Sequence, residues 1–282
     1  MALKNVLVNP RVSTIVLAQE DSQTLMLHGA FDSYRERYVY GHSIYEITAA
    51  DSPYDLPIFF KLAAAQRHDS VLSVITLDEA IKFYPEFSFS NFTGDTAHDA
   101  YAVYSLLHHF NIDAIIPIKE NNKGNPKHPA ALTLTQEGIP VCIGEFPMIN
   151  SGFCKDRCRI KWRCPLIAGK IPACAHASTC SQSPYGRVIY TKPSWDFRLF
   201  TRIPRGSPLW KTILAKRTSS ERSFKRKKID YKLENARVRS RSYWFIRSML
   251  TAMCQHVDAW YSEFDSVIQI KKLIYSWRDT AT

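Results

Sequence analysis

Between Arg217 and Lys228 the chain sets one carboxylate, Glu221, among six cations within twelve residues. A helix advances about 100° per residue, so Arg217, Glu221 and Lys228 fall within an arc of roughly 40° on one face. A carboxylate so placed is either a salt-bridge partner on a solvated helix or a metal ligand whose cationic surroundings hold polyphosphate. The rest of the chain has to decide between these.

Charge favours the second reading. Of the formal net charge of +11, most sits between Lys211 and Arg247, where thirteen Lys or Arg stand against Glu221, Asp230 and Glu234. That is the footprint of a partner with a phosphate backbone. The Ser, Glu and Asp interruptions fit a polyanion groove better than an amphipathic lipid anchor. With 282 residues and 45% hydrophobic side chains the chain can bury a core, and no run reaches the eighteen or more apolar residues of a membrane span. Residues 1–16 are mixed and lack the apolar centre of an export signal. A soluble, intracellular protein without a membrane partner is expected.

Taken in order, the chain promises alternating elements. Residues 13–18 read as a short strand leading to Asp21, and Phe31-Asp32-Ser33 as a second acidic turn. Residues 37–47 and 56–63 read as a hairpin around the turn Asp51-Ser-Pro-Tyr-Asp55. Asp69-Ser70 caps a helix through about Phe83, with Val71, Val74, Ile75, Ala80 and Ile81 as its buried stripe. A strand over 87–92 delivers Gly94-Asp95, a helix over 97–110 packs through Ala102, Leu106 and Leu107, and 114–118 is a compact strand. This order matches an α/β, ribonuclease H-like mixed sheet flanked by helices, which presents acids at neighbouring strand ends. Residues 127–209 lose helical periodicity and read as an insertion between the acids. Within it, 181–191 and 196–203 are expected as short strands. Helical character returns from Trp210, and Trp244, Met249, Met253, His256, Val257 and Trp260 recur at core spacing. The expected divisions are 1–33 as a leader with a first strand, 34–126 as the first part of the core, 127–209 as the Cys-rich insertion and 210–282 as the C-terminal helices.

Six of the seven cysteines lie between Cys142 and Cys180, which points to a local metal knot rather than a disulfide framework. Cys158, Cys164, Cys174 and Cys180 would supply four thiolates for a structural Zn²⁺, with Cys154, Cys142 and His176 as substitutes, ordering a segment too polar for its own core. Buried free thiols are the alternative.

Asp95-Thr96-Ala97-His98-Asp99 resembles the second-acid motif of bacterial insertion-sequence transposases of the DDE type. Arg217-x3-Glu221-x6-Lys228 resembles their third-acid signature. Arg37-Tyr-Val-Tyr-Gly41-His42, Leu56-Pro57-Ile58 and His68-Asp69-Ser70 are similar to the usual lead-in. Tyr185-Gly186-Arg187, Asp196-x-Arg198-x-Phe200 and Arg205-Gly206-Ser207 are similar to the cysteine-containing branch. Leu214 and His98 depart from it, each standing where the family often has Tyr.

The resemblance implies a core that cuts DNA at transposon ends and joins the freed 3′-hydroxyl to target DNA. Two Mg²⁺, or Mn²⁺, would be held by Asp95 and Glu221. Arg217, Arg222, Lys225 and Lys228 would hold DNA phosphates, in a homodimeric synaptic complex in the bacterial cytoplasm at the nucleoid. For the first acid, topology favours Asp21, with Asp32 as runner-up. The family's upstream helical DNA-binding domain has no counterpart in the leader, which reads as a truncated copy. Two rival readings stay open: a non-catalytic DNA-binding remnant, and a zinc-stabilised nucleic-acid-binding protein of unrelated role.

Overall fold

A computed structural model describes residues 14–22, 29–32, 37–40, 42–64, 69–119, 132–235 and 240–266, with backbone alone at 14–40, 64, 69 and 264–266. The fold is mixed α/β, built of small sheets and helices in two compact units. One unit draws on the chain up to His68, Ile75–Phe89 and everything from Thr218 on; the other is made of Asp69–Val74 and Ser90–Arg217.

The first unit is organised on a strand buried along almost its whole length. β4 (His42–Ala49) lies antiparallel between β1 (Thr14–Ser22) and β5 (Leu56–Ala64). β2 (Gly29–Asp32) and β3 (Arg37–Tyr40) form a separate antiparallel ribbon. A strand covered on both faces needs apolar groups at odd and even positions alike, and Ile44, Tyr45 and Ile47 meet that need. The register between β4 and β5 shifts at Ile47/Thr48, opposite Pro57. A bulge is where a strand tolerates a residue without an N–H.

α1 (Asp69–Phe83) spans the predicted residues, but it buries a different face. Leu72, Thr76, Leu77 and Ala80 are inside, while Val71 and Ile75 are exposed. The two stripes are a fraction of a turn apart, and the polar Ser73 and Thr76 on the buried side disguised which one faces inward.

Two C-terminal helices complete this unit. α5 (Thr218–Ile229) buries Ser219, Ser220, Ser223, Phe224 and Lys227, and α6 (Arg241–Ser266) contributes Trp244 to a core with Ile44, Leu62, Phe224 and Leu233. The expected core stripe on α6 holds at Trp244 and, half-buried, at His256, but not beyond them. Met249, Met253, Val257 and Trp260 are exposed; Trp244, Ser248, Thr251, Ala252, Gln255 and Ala259 are buried. Small and polar residues let the helix approach the sheet closely, so the inward face is less apolar than the outward one.

In the second unit β6 (Asn91–Thr93) and β7 (Asp113–Ile115) run parallel, joined by α2 (Tyr101–His109). Val103, Tyr104 and Leu107 are the buried residues of α2; of the expected Ala102, Leu106 and Leu107, Leu107 is among them and the other two are displaced. The cysteine-bearing segment forms an antiparallel sheet, β8 (Ile149–Cys154), β9 (Arg159–Arg163) and β10 (Val188–Thr191), with a short helix α3 (Ala177–Cys180). Residues 196–203 are not a strand; they follow a 3-10 turn at Pro193–Trp195. Contrary to expectation, this segment has a core of its own: Cys142, Met148, Ile160, Trp162 and Phe200, flanked by Leu134, Ile139 and Trp195. The Trp162 indole N–H satisfies itself on Thr191 Oγ1 at 2.9 Å. α4 (Pro208–Ala215) starts with Ser207 accepting from Trp210 N and Pro208 in the first turn, a pairing of cap and proline suited to a helix start.

Trp244→Ala is expected to cost about 3–5 kcal/mol in urea unfolding, through lost transfer energy and the cavity left behind. Tyr261→Ala, at an exposed position on the same helix, should stay within about 0.5 kcal/mol of wild type.

Candidate active site

Asp95 stands two residues beyond the end of β6 and caps a single 3-10 turn, Thr96–His98. Its Oδ1 accepts from the Ala97 backbone N–H at 3.0 Å and lies 2.7 Å from His98 Nδ1. Both contacts go to one oxygen, and the side chain is about half exposed, with Oδ2 outside both of these bonds. The His98 bond holds the Asp95 carboxyl below its usual range; burial opposes it, and the charges of His98 and Arg217 reinforce it. Asp95 therefore meets the cap role that any strand-end acid can fill, and it also offers solvent an ionised oxygen.

His98, in the sequence only a departure from the family pattern, has a structural role of its own. Its ring is buried, packs edge-on to Phe92 and sits against Gly94. A Cβ on Gly94 would lie 3.0 Å from the ring, so glycine is what lets the imidazole close in behind Asp95. The signal was present in the spacing: a His three residues after a capping acid in a tight turn returns to that acid.

Just beyond, Asp99 is buried in a charged cluster. Arg198 forks onto both its oxygens at 2.7 and 2.8 Å, Lys119 N donates to Oδ2 and Tyr104 Oη to Oδ1. Burial would raise the Asp99 pKa, but these donors outweigh it and the carboxyl lies below its usual range. Asp196 caps the turn through the N–H groups of Arg198 and Leu199 and accepts from Tyr101 Oη at 2.5 Å. Burial, with this bond, raises the Tyr101 hydroxyl to about 12. Arg205 reaches Ile116 O and Tyr104 Oη. The Asp196-x-Arg198-x-Phe200 and Arg205 motifs are thus the braces under the Asp95–Asp99 turn.

Glu221 lies in the first turn of α5 and is exposed. The helix starts at Thr218, so Arg217 belongs to the turn after α4, where its N–H reaches Leu214 O; only Glu221 and Lys228 share the helical face. The cations around them divide into two groups. Lys227 is buried and ion-paired with Glu46, Arg222 forks onto Asp55 at 2.6 and 2.7 Å, and Arg226 bonds Tyr54 O. Lys225 is exposed, and Lys228 is half-buried with Glu234 at 3.2 Å. Much of the apparent cationic wall therefore fastens α5 to the strand and turn before it.

Asp21 lies within β1, opposite Ser43, and Asp32 ends β2, opposite Arg37. Their side chains are outside the described residues. Asp21 and Glu221 belong to the first unit and Asp95 to the second.

The cysteines are spread along the second sheet. Cys142 is a core residue, Cys154 ends β8, and Cys158 is exposed in the next turn with φ 45°. Cys164 backs onto Gly186, Cys174 onto Gly144, and Cys180 ends α3. Among the described residues no three His, Cys, Asp or Glu side chains gather as a metal-ligand group. The thiols as placed form no tetrahedral group among the described residues, and the segment has an apolar core of its own.

No protein-family profile matches the sequence, and no curated protein matches it. Among solved structures the chain is similar to the piggyBac transposase in its synaptic complex with hairpin DNA. The two share 11% identity at a TM-score of 0.48, over 89% of this chain and 47% of that one. The chain thus spans about half the length of that transposase. No helix among the described residues is long and apolar enough to cross a membrane.

The depressed Asp95 and Asp99 values set the sign of the acid response. Each carboxylate contributes stability that is present above its ordinary pKa and lost as pH falls through its lowered folded value. In His98→Ala, carboxyl-carbon NMR should show Asp95 titrating at higher pH than in wild type. Unchanged titration would mean that His98 does not hold it.

Proposed function

We propose that the chain is the catalytic part of a DDE-type transposase with a ribonuclease H-like core, cutting DNA and joining the 3′-hydroxyl to target DNA. The observation that carries the reading is Asp95: an exposed carboxylate just past a strand end, kept ionised by a buried histidine and with Oδ2 outside its bonds to His98 and Ala97. Glu221, exposed in the first turn of a helix that also bears Lys225 and Lys228, supports it.

Carboxylate oxygens of this kind suit Mg²⁺ or Mn²⁺. In this reading Asp95 and Glu221, with Asp21 as the first acid, hold two ions. When bound, such a pair stabilises both the attacking and the leaving oxygen of a phosphoryl transfer. The chain's own part is to keep the acids ionised and the nucleic acid in place. His98 fixes the Asp95 rotamer and charge. Lys225 and Lys228, with Arg217 and the exposed portion of Arg222, balance backbone phosphates. DNA is the partner in this reading.

In a strand-cleavage and joining assay with Mg²⁺ or Mn²⁺, Asp95→Asn and Glu221→Gln are each expected to lower the rate by at least about 100-fold, as loss of an electrostatic catalytic group does. DNA affinity should persist in both. Lys225→Ala should lower the slope of log affinity against log salt by about 0.9 if it neutralises one phosphate. A wild-type chain that binds DNA with a steep salt dependence and cleaves nothing with either ion would replace this reading with the non-catalytic remnant. A flat salt response would remove DNA altogether.

A further inference from the structure

The three-stranded sheet of the second unit has one face in the core and one open to solvent, as antiparallel sheets commonly do. On β9 Ile160 and Trp162 are buried, while Arg159, Lys161 and Arg163 alternate with them on the other face and stay partly exposed. On β10 Tyr190 lies opposite Lys161 in the register, is exposed, and carries the Arg159 guanidinium 3.8 Å above its ring. Lys192, one step further in the same alternation, is exposed as well. From Ile149 to Lys192 the chain has eight Lys or Arg against one acid, Asp156. The net charge of the whole chain hides this concentration, because acids elsewhere offset it.

Like charges gathered on one sheet face repel. Elsewhere the protein meets such cations with carboxylates: Arg198 with Asp99, Arg202 with Asp113, Lys227 with Glu46. Among the described residues no carboxylate pairs with Arg159, Lys161, Arg163 or Lys192. Arg159 Nε, shielded from solvent, has no hydrogen-bond partner among them either. The face therefore lacks the negative charge that its composition calls for.

We propose that this face binds an unpaired nucleic-acid strand, with phosphates along β9 and a base stacked on the Tyr190–Arg159 pair. Side chains two positions apart on a strand are about 6.6 Å apart, a step comparable to that between successive phosphates of an extended strand. Arg159, Lys161 and Arg163 can thus follow one backbone. The ring supplies what a backbone-only site lacks: it stacks on a base whose face is free, which a duplex keeps inside its helix. An arginine layered on the tyrosine widens the flat surface and adds its own attraction to a π-face. An anionic membrane fits less well, since Val188, the apolar neighbour of Tyr190 on this face, is partly buried and has nothing to insert.

The face includes neither Asp95 nor Glu221 nor any cation of α5, so it stands or falls separately from the catalytic reading. Fluorescence anisotropy on the full chain, with labelled oligothymidine and oligouridine of about twelve nucleotides and a duplex of the same length, is expected to show tighter binding of the single strands. Tyr190→Ala and Tyr190→Leu should each weaken that binding about five- to a hundredfold, the loss of one stacked base, while Tyr190→Phe stays near wild type. Lys161→Gln should lower the slope of log affinity against log salt by about 0.7, with thermal melting unchanged. Single strands held no better than duplex, or held equally by Tyr190→Leu, overturn the proposal. So does an affinity that falls in Lys225→Ala but not in Lys161→Gln, which assigns the strand to α5, or binding to phosphatidylserine vesicles without binding to the oligonucleotides, which assigns the face to a membrane.

Discussion

Glu46 sits in the middle of a buried strand, and the arrangement of the first unit depends on how its charge is met. Lys227 of α5 pairs with one carboxylate oxygen, while Ser223 Oγ donates to the other at 2.7 Å. Ser223 Oγ lies 3.2 Å from Gln255 Oε1 of α6, a second acceptor for the same proton, and the Gln255 amide N–H donates to Ser223 O at 2.7 Å. One carboxylate thereby ties a strand to one helix directly and to a second through a serine. Burial pulls the Lys227 ammonium down to about 7, beside the Glu46 carboxylate with which it pairs. A buried pair of this kind adds little net stability over an apolar one, but each partner makes the other's solitary burial costly. What it contributes is register: α5 has one rotation on the sheet at which the ammonium meets the carboxylate. At that rotation Glu221 and Lys225 face outward.

The second unit handles its buried charge in a related way. Asp99 is fully enclosed and receives the whole fork of Arg198, with Asp196 holding the backbone from which that arginine projects. The turn that carries Asp95 is thus stiffened from below by ionic contacts and from behind by His98. Fixed support is what a carboxylate needs if it is to act as a ligand or as a base, because a mobile acid spends its binding free energy on becoming ordered. Asp95 itself remains at the surface, with the bracing groups on its inner side.

Much of this architecture was legible in the residues, and the failures share a cause. Alternation gave the hairpin over 42–47 and 56–63, although residues 37–40 of the expected strand belong to the β2–β3 ribbon instead, and Asp69-Ser70 with Pro85 bounded α1, because those signals are local. Which face turns inward was not legible wherever polar residues line the core. Ser73 and Thr76 on α1, and Ser248, Thr251 and Gln255 on α6, are buried beside groups that satisfy or tolerate them. A reading that counts apolar residues then selects the wrong stripe. Lys227 is the extreme case. Within a run of cations nothing sets it apart, and only Glu46, 181 positions earlier in the chain, reveals it as a core residue. The cysteines conceal the opposite feature: Cys142 behaves as a small hydrophobe in an apolar core of Met148, Ile160, Trp162 and Phe200 that cysteine spacing does not announce.

The most direct test of this account is a double-mutant cycle between Glu46→Leu and Lys227→Met, read by urea unfolding. Each single change should cost about 3–5 kcal/mol by stranding a buried charge, while the double mutant, with two apolar groups facing each other, should recover most of that loss. Additive losses, with the double mutant as unstable as the two singles together, would contradict the claim that this pair sets how α5 lies on its strand.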